Sequence, residues 1–443
     1  MIRLLILATV TGAVMTGVSI ETPRTEPLQT NTAELDIFIA GKATTYATVA
    51  GHLKTYADAS ETDFNAGTPK FDIRAGTWVG STGTCFPTGE SEIESFDMAM
   101  AAREIWGMAL NGYIESDVSQ QALVRTSLLE FAATEGFSSG TLSGGNECIL
   151  ELSESVWNLV NSAWLLEDAG YSGWSTADRQ TLVDWLIDKP LYLASWSAEN
   201  RKQNWGAVAL PALLAIAEYS RGYASTLTLH DASTFSPSAY VDELANVTGP
   251  TLWDTTTPLD SDDGDRCADS TPGPAYVYGV QSHGGHPDDL RRTAVPSVDR
   301  ANCAQTTIDY DCGDPVSADG CLLGQRYQLK YSSGVVAFCE GLRRIGDGGA
   351  CFDNTSHGGS NGMVYDMIDF ATGGDGLFND FHVINYRMAQ MPIAGEYYQD
   401  CNLVETEVET GTSASQVTRG GTDLEFGMIT HAPLVAYATS ACP

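Results

Sequence analysis

Five stretches with apolar residues three and four apart, joined by short turn-like linkers, predict an all-α chain whose antiparallel helix pairs close into an (α/α) toroid. They run from Ile93 to Tyr113, Ser119 to Thr134, Leu150 to Ala169, Thr176 to Ala194 and Trp205 to Tyr219. No fixed-period repeat marks a solenoid, and no strand-rich module stands out towards the C-terminus.

Taken in order, the chain begins with Arg3 as its one early charge, followed by the apolar run Leu4 to Val18 with small residues near its end. That is the pattern of a secretory signal peptide over residues 1–18, with cleavage near Gly17 to Ser19. Residues 19–80 form an N-terminal extension carrying the first helices, and residues 81–443 the main toroid domain. Short linkers between the five periodic segments imply helical hairpins. Ser175-Thr176-Ala177-Asp178 carries an N-terminal capping signal, and Gly170 and Gly173 close the helix before it. A further helix is expected over Ser236 to Asn246, then an irregular stretch from Thr248 to Gly324. A strong helix follows over Arg326 to Ile345, with weaker ones over Met363 to Ala371 and Leu377 to Met388.

The formal net charge is -34, with only 23 Lys and Arg. A surface so acidic excludes nucleic acid and anionic membranes as partners and suits a soluble protein in a salty exterior. The ten cysteines, at 85, 148, 267, 303, 312, 321, 339, 351, 401 and 442, form an even set with no CxxC pair. In a secreted chain that predicts up to five disulfides, most of them tying the Gly/Asp-rich region between 267 and 351. The sequons Asn246-Val247-Thr248 and Asn354-Thr355-Ser356 agree with an extracellular, glycosylated monomer.

Chemistry concentrates in three places. Asn200-Arg201-Lys202-Gln203-Asn204-Trp205 is a polar, amide-rich approach to an apolar helix, so its side chains line the mouth of a cavity; equally, Asn204 is a good N-cap and Trp205 a packed indole. Arg326, Tyr327, Lys330 and Tyr331 fall on adjoining faces of one helix as i,i+4 pairs, which gives a basic, phenolic rim or, in the plainer reading, a packed Tyr331 with Arg326 answering an Asp. Gln281-Ser282-His283-Gly284-Gly285-His286-Pro287 presents two histidines on a glycine-rich loop, His283 foremost. The run Asp260 to Asp265 has oxygens for a structural calcium ion but lacks the Glu that closes an EF-hand loop, so a solvated turn is expected, with no cofactor. His357, His382 and His431 are read as structural, and no Gly-x-Ser-x-Gly, Walker or dinucleotide fingerprint occurs.

Gln203-Asn204-Trp205 leading into an Ala-rich helix, with Asp319-Gly320 before Gln325-Arg326-Tyr327-Gln328-Leu329-Lys330-Tyr331-Ser332, resembles the alginate lyase superfamily of α/α-toroid polysaccharide lyases. The resemblance is loose over residues 85 to 435 and sharp only at the two helix starts. It implies β-elimination on a uronate polymer, alginate or glucuronan first. Such chemistry needs donors placed in advance around the substrate carboxylate, and a group to take the C5 proton and return one to O4. The implied catalytic residues are Tyr331, His283, Asn204 and Arg326, with substrate held by Gln203, Trp205, Lys330, His286 and Asn200. Tyr327 stands as the alternative to Tyr331, and His286 to His283. Arg326 and Lys330 would lower the phenol pKa. Two other classes remain: a toroidal glycoside hydrolase using carboxylates among Asp97, Glu104, Glu154 and Asp184, and a non-catalytic glycan-binding protein.

Overall fold

The computed structural model describes residues 23–24, 26–67, 76–80, 83–86, 91–133, 147–200, 204–253, 318–347, 349–354, 362–372 and 397. The signal segment, residues 1–18, lies outside them. So do the helix expected over Leu377 to Met388 and the acidic run Asp260 to Asp265.

Among the described residues, four helices form an inner layer in sequence order: α3 (Ser95–Ile114), α5 (Glu147–Asp168), α8 (Asn204–Ser220) and α10 (Ala318–Leu342). Each packs on the next. Outside them lie α2 (Ala47–Asn65), α4 (Val118–Ala132), α6 (Thr176–Asp188) with α7 (Pro190–Asn200), α9 (Pro237–Trp253) and α11 (Met363–Thr372), each against an inner helix. A short α1 (Thr32–Gly41) precedes α2. This alternation of inner and outer helices is the all-α toroid that the periodicity predicts. The layers are legible in burial. Every residue of α8 except Trp205 is buried, as expected of a helix that is apolar all round. Trp106, Trp157 and Trp164 fill the inner core, each worth about 1.5–3 kcal/mol or more of transfer free energy.

The direction of the inner helices follows from two glycines. A Cβ on Gly334 would fall 2.6 Å from the carbonyl carbon of Ala207, and one on Gly341 would fall 2.6 Å from Leu214 Cδ2. Both α10 positions meet α8 at the same offset in numbering, so α8 and α10 run parallel. The Trp164 and Tyr219 rings meet edge to face at 5.2 Å, and Trp157 approaches Gly341 beside Leu214, so α5 runs the same way. Pro211 stands one turn beyond the contact at Gly334. Proline has no N–H, so the Ala207 carbonyl four residues earlier loses its helical donor. Gly334 brings the backbone of α10 against that carbonyl.

Local signals behave as read. Gly170 takes φ +63°, with Tyr171 N–H donating to Leu166 O and Gly170 N–H to Glu167 O, the paired bonds that end a helix on a left-handed residue. Ser175 and Asp178 form a reciprocal capping box at the start of α6. The expected helix over 176–194 divides at Lys189-Pro190, where Lys189 leaves helical geometry (φ -127°, ψ -68°), because a residue before proline is pushed out of the α region. The expected start at Ile93 is also corrected: Ile93 lies in β3 (Ser91–Glu94), which pairs parallel with β1 (Gly76–Gly80), itself antiparallel to β2 (Gly83–Phe86). A hairpin of β4 (Leu227–Thr228) and β5 (Thr234–Phe235) lies beside α7. Asn246 falls inside α9, which continues to Trp253. Among the cysteines with described side chains, Cys339 and Cys351 are bonded to each other, which ties the end of α10 to the following turn.

The C-terminal ends of α5 and α10 are fastened by the N-terminal segment. Leu28 and Gln29 N–H both donate to Asn161 Oδ1, at 2.8 and 3.0 Å, and Trp157 Nε1 donates to Gln29 Oε1 at 2.9 Å. Trp164 Nε1 donates to Arg24 O, and Arg344 clasps Glu34 with one nitrogen 2.8 and 2.7 Å from its two oxygens. Leu28, Gln29 and Thr30 are fully buried in this strap.

Candidate active site

Where α8 begins, opposite the middle of α10, the parallel register decides which residues share a level. Asn204 stands three residues before Ala207, and Tyr331 three before Gly334, so the two share one level on neighbouring inner helices. Two segments far apart in sequence are thereby brought together. Both side chains are covered: Asn204 is 0% exposed and Tyr331 1%. Tyr331 also belongs to the apolar core, the packed position that the plainer sequence reading anticipates.

Lys330 reaches across from α10 to α5, where its ammonium pairs with Glu154, whose side chain is 0% exposed. The sequence reading gave Lys330 to the substrate and to the phenol; here its charge is matched by a buried carboxylate. That matters electrically, because an ion pair presents far less field to a neighbouring phenol than a lone ammonium does. The same contact engages one of the four carboxylates considered for a hydrolase. Of the others, Glu104 is buried on α3, and Asp184 accepts from Gln180 Nε2 at 2.7 Å on an exposed face of α6. Asp97 lies in α3, at its N-terminal turn.

Trp205 is half-buried, and its carbonyl accepts from Ser197 Oγ at 3.2 Å, which anchors the start of α8 to α7. The end of α7 is braced from the β4–β5 hairpin. His230 Nε2 lies 2.9 Å from Glu199 Oε2, and His230 N–H donates to Ser195 Oγ at 3.1 Å. Sequence reading passed over His230, whose partner lies on another element with no local motif to announce it. Asn200 closes α7 and Arg326 lies within α10, one turn before Lys330. Tyr327 lies on the same turn. Gln203, His283 and His286 lie outside the described residues.

The arrangement offers an amide, a phenol and a matched ion pair on three parallel helices near the start of α8. It can hold and move a proton at the Tyr331 oxygen and donate hydrogen bonds from Asn204. The sequence matches no family model and no curated protein. Among solved structures, the chain is similar to the crystal structure of an alginate lyase from Bacteroides ovatus, with 12% identity and a TM-score of 0.52 over 94% of this chain and 99% of that one. Likeness at such identity shows a shared fold.

Proposed function

We propose that this chain is a secreted polysaccharide lyase that cleaves a uronate polymer, alginate or glucuronan, by β-elimination. The observation that carries the reading is the shared level of Asn204 and Tyr331 on adjacent parallel helices, within a fold similar to that of an alginate lyase.

In this reading Asn204, with Gln203 and His283, neutralises the uronate carboxylate so that charge can build as the C5 proton leaves. Tyr331 takes that proton and returns one to the departing O4. Because Glu154 occupies Lys330, the cation that lowers the phenol pKa is Arg326, and Lys330 holds the site together instead of binding substrate. Trp205, Asn200 and His286 line the approach. The polymer reaches Asn204 and Tyr331 only as their cover parts, since both are buried in this conformation. No organic cofactor enters the reaction.

The mass of the products tests the reaction type. Incubating the purified protein with alginate blocks, glucuronan and pectate should release fragments whose masses sum to that of the polymer, because elimination adds no water. Fragments heavier by one water per cut would mean hydrolysis, and a polymer bound but uncut would mean a glycan-binding protein.

A further inference from the structure

A carboxylate with a fully buried side chain among apolar helices is costly unless a cation answers it. Glu154 is such a group, and Lys330 answers it from a helix that is not its neighbour in chain order. The pair spans α5 and α10, with α8 packed against both. Two constraints therefore act on the middle of α10. Gly334, tight against Ala207, sets the height of α10 along α8, and the tie from Lys330 to Glu154 sets its rotation. Successive side chains on a helix point about 100° apart, so fixing Lys330 also fixes where Tyr331 points.

We propose that Glu154 is a positioning residue of the candidate site, acting through Lys330 to aim Tyr331 at the level of Asn204. The proposal rests on the lyase reading. Glu154 touches no substrate in it; the sequence offered this residue only as a hydrolase carboxylate.

The experiment compares wild type with Glu154→Gln, Lys330→Met, the double variant and the charge swap Glu154→Lys/Lys330→Glu. It measures kcat and KM per folded molecule on whichever uronate polymer yields unsaturated product. Each single variant should lose about 100-fold in kcat, the scale of a small misplacement of a reacting group, with KM little changed. The double variant should be as slow as one single variant, not slower by the product of both, because the two residues act as one unit. The charge swap should recover part of the rate, which a purely structural loss would not do. Unchanged kcat in Glu154→Gln, or losses that multiply in the double variant, would overturn the proposal while leaving the lyase reading in place. A wild type that makes no unsaturated product would overturn both. If Glu154→Gln does not fold, the double variant decides, since it removes both buried charges together. Wild-type kcat in that protein would overturn the proposal.

Discussion

At the C-terminal ends of the inner helices, opposite charges meet in a network. Arg344 joins Glu34 and Glu340, Arg179 joins Glu167 while lying 4.2 Å over the Tyr219 ring, and the Arg24 carbonyl receives Trp164 and Arg179. Where α8 begins, the described side chains instead bring one amide and one phenol to the same level, with the pair of Lys330 and Glu154 one residue away along α10. A network that answers each charge several times is built to stay shut. A sparse set of buried polar groups on rigid, parallel helices is what a reaction centre needs, because groups held in advance cost no reorganisation when charge develops. The difference separates the part of the toroid that holds it together from the part proposed to react.

Substitutions at the two ends should therefore part company. The largest loss of stability is expected from Arg344→Met, which takes from buried Glu34 the cation that clasps it, while Glu340 keeps Arg343. Breaking such a pair from one side costs about 3–5 kcal/mol, to be read from denaturant unfolding, while kcat per folded molecule stays at the wild-type value. Gly334→Ala should come next, at about 1–3 kcal/mol, because the new Cβ meets the backbone of Ala207, which cannot turn aside. Unlike Arg344→Met, it should also lower kcat per folded molecule, since it lifts Tyr331 relative to Asn204. Gly341→Ala provides the contrast within one helix. Its Cβ meets the tip of Leu214, a methyl that can rotate, and the helix preference of Ala offsets part of the crowding, so stability should stay within about 1 kcal/mol of wild type.

The smallest effect carries a pH signature. Burial works against the charge of Asp178, but the hydrogen bonds from Arg125 and Ser175 outweigh it and hold the carboxyl below its usual range. A carboxylate whose folded pKa is depressed adds stability above its unfolded value, about 3.9, and that stability is lost as pH falls through the folded one. Asp178→Asn should thus be less stable than wild type at neutral pH by up to about 1 kcal/mol, the half-exposed Arg125 limiting the gain. The gap should close as the pH is lowered from about 5 to 3. Glu167, on α5 at the same end, has the opposite sign. Burial raises its pKa against the pull of Arg179, so its contribution weakens folding as pH rises.

Much of the fold was legible in sequence because helical periodicity, the Ser175 capping box and the Gly170 terminator act over a few residues. The break at Lys189-Pro190 carried the same kind of signal. The sheet beside α3 was missed because Gly76–Gly80 and Ser91–Glu94 are short, and strand pairing depends on partners that local pattern does not reveal. The site was only half legible. Asn204 declared itself by residue type at the start of α8, and Tyr331 near the start of a helix expected from Arg326, which in the structure begins eight residues earlier at Ala318; their common level depends on Gly334 meeting Ala207, a contact between distant segments. The tie of Lys330 to Glu154 had no sequence signal at all, since it crosses from α5 to α10, more than 170 residues apart. The N-terminal strap was likewise invisible, being ordinary polar residues until Asn161, Trp157 and Arg344 receive them.

The most direct test of the account is the rate at which ultraviolet absorbance from a conjugated double bond appears when wild type and Tyr331→Phe meet alginate and glucuronan. The account predicts a clear signal from wild type and its loss in a variant that unfolds at the same denaturant concentration. A variant that makes unsaturated product as fast as wild type would contradict it, and would return Tyr331 to the core as a packing residue.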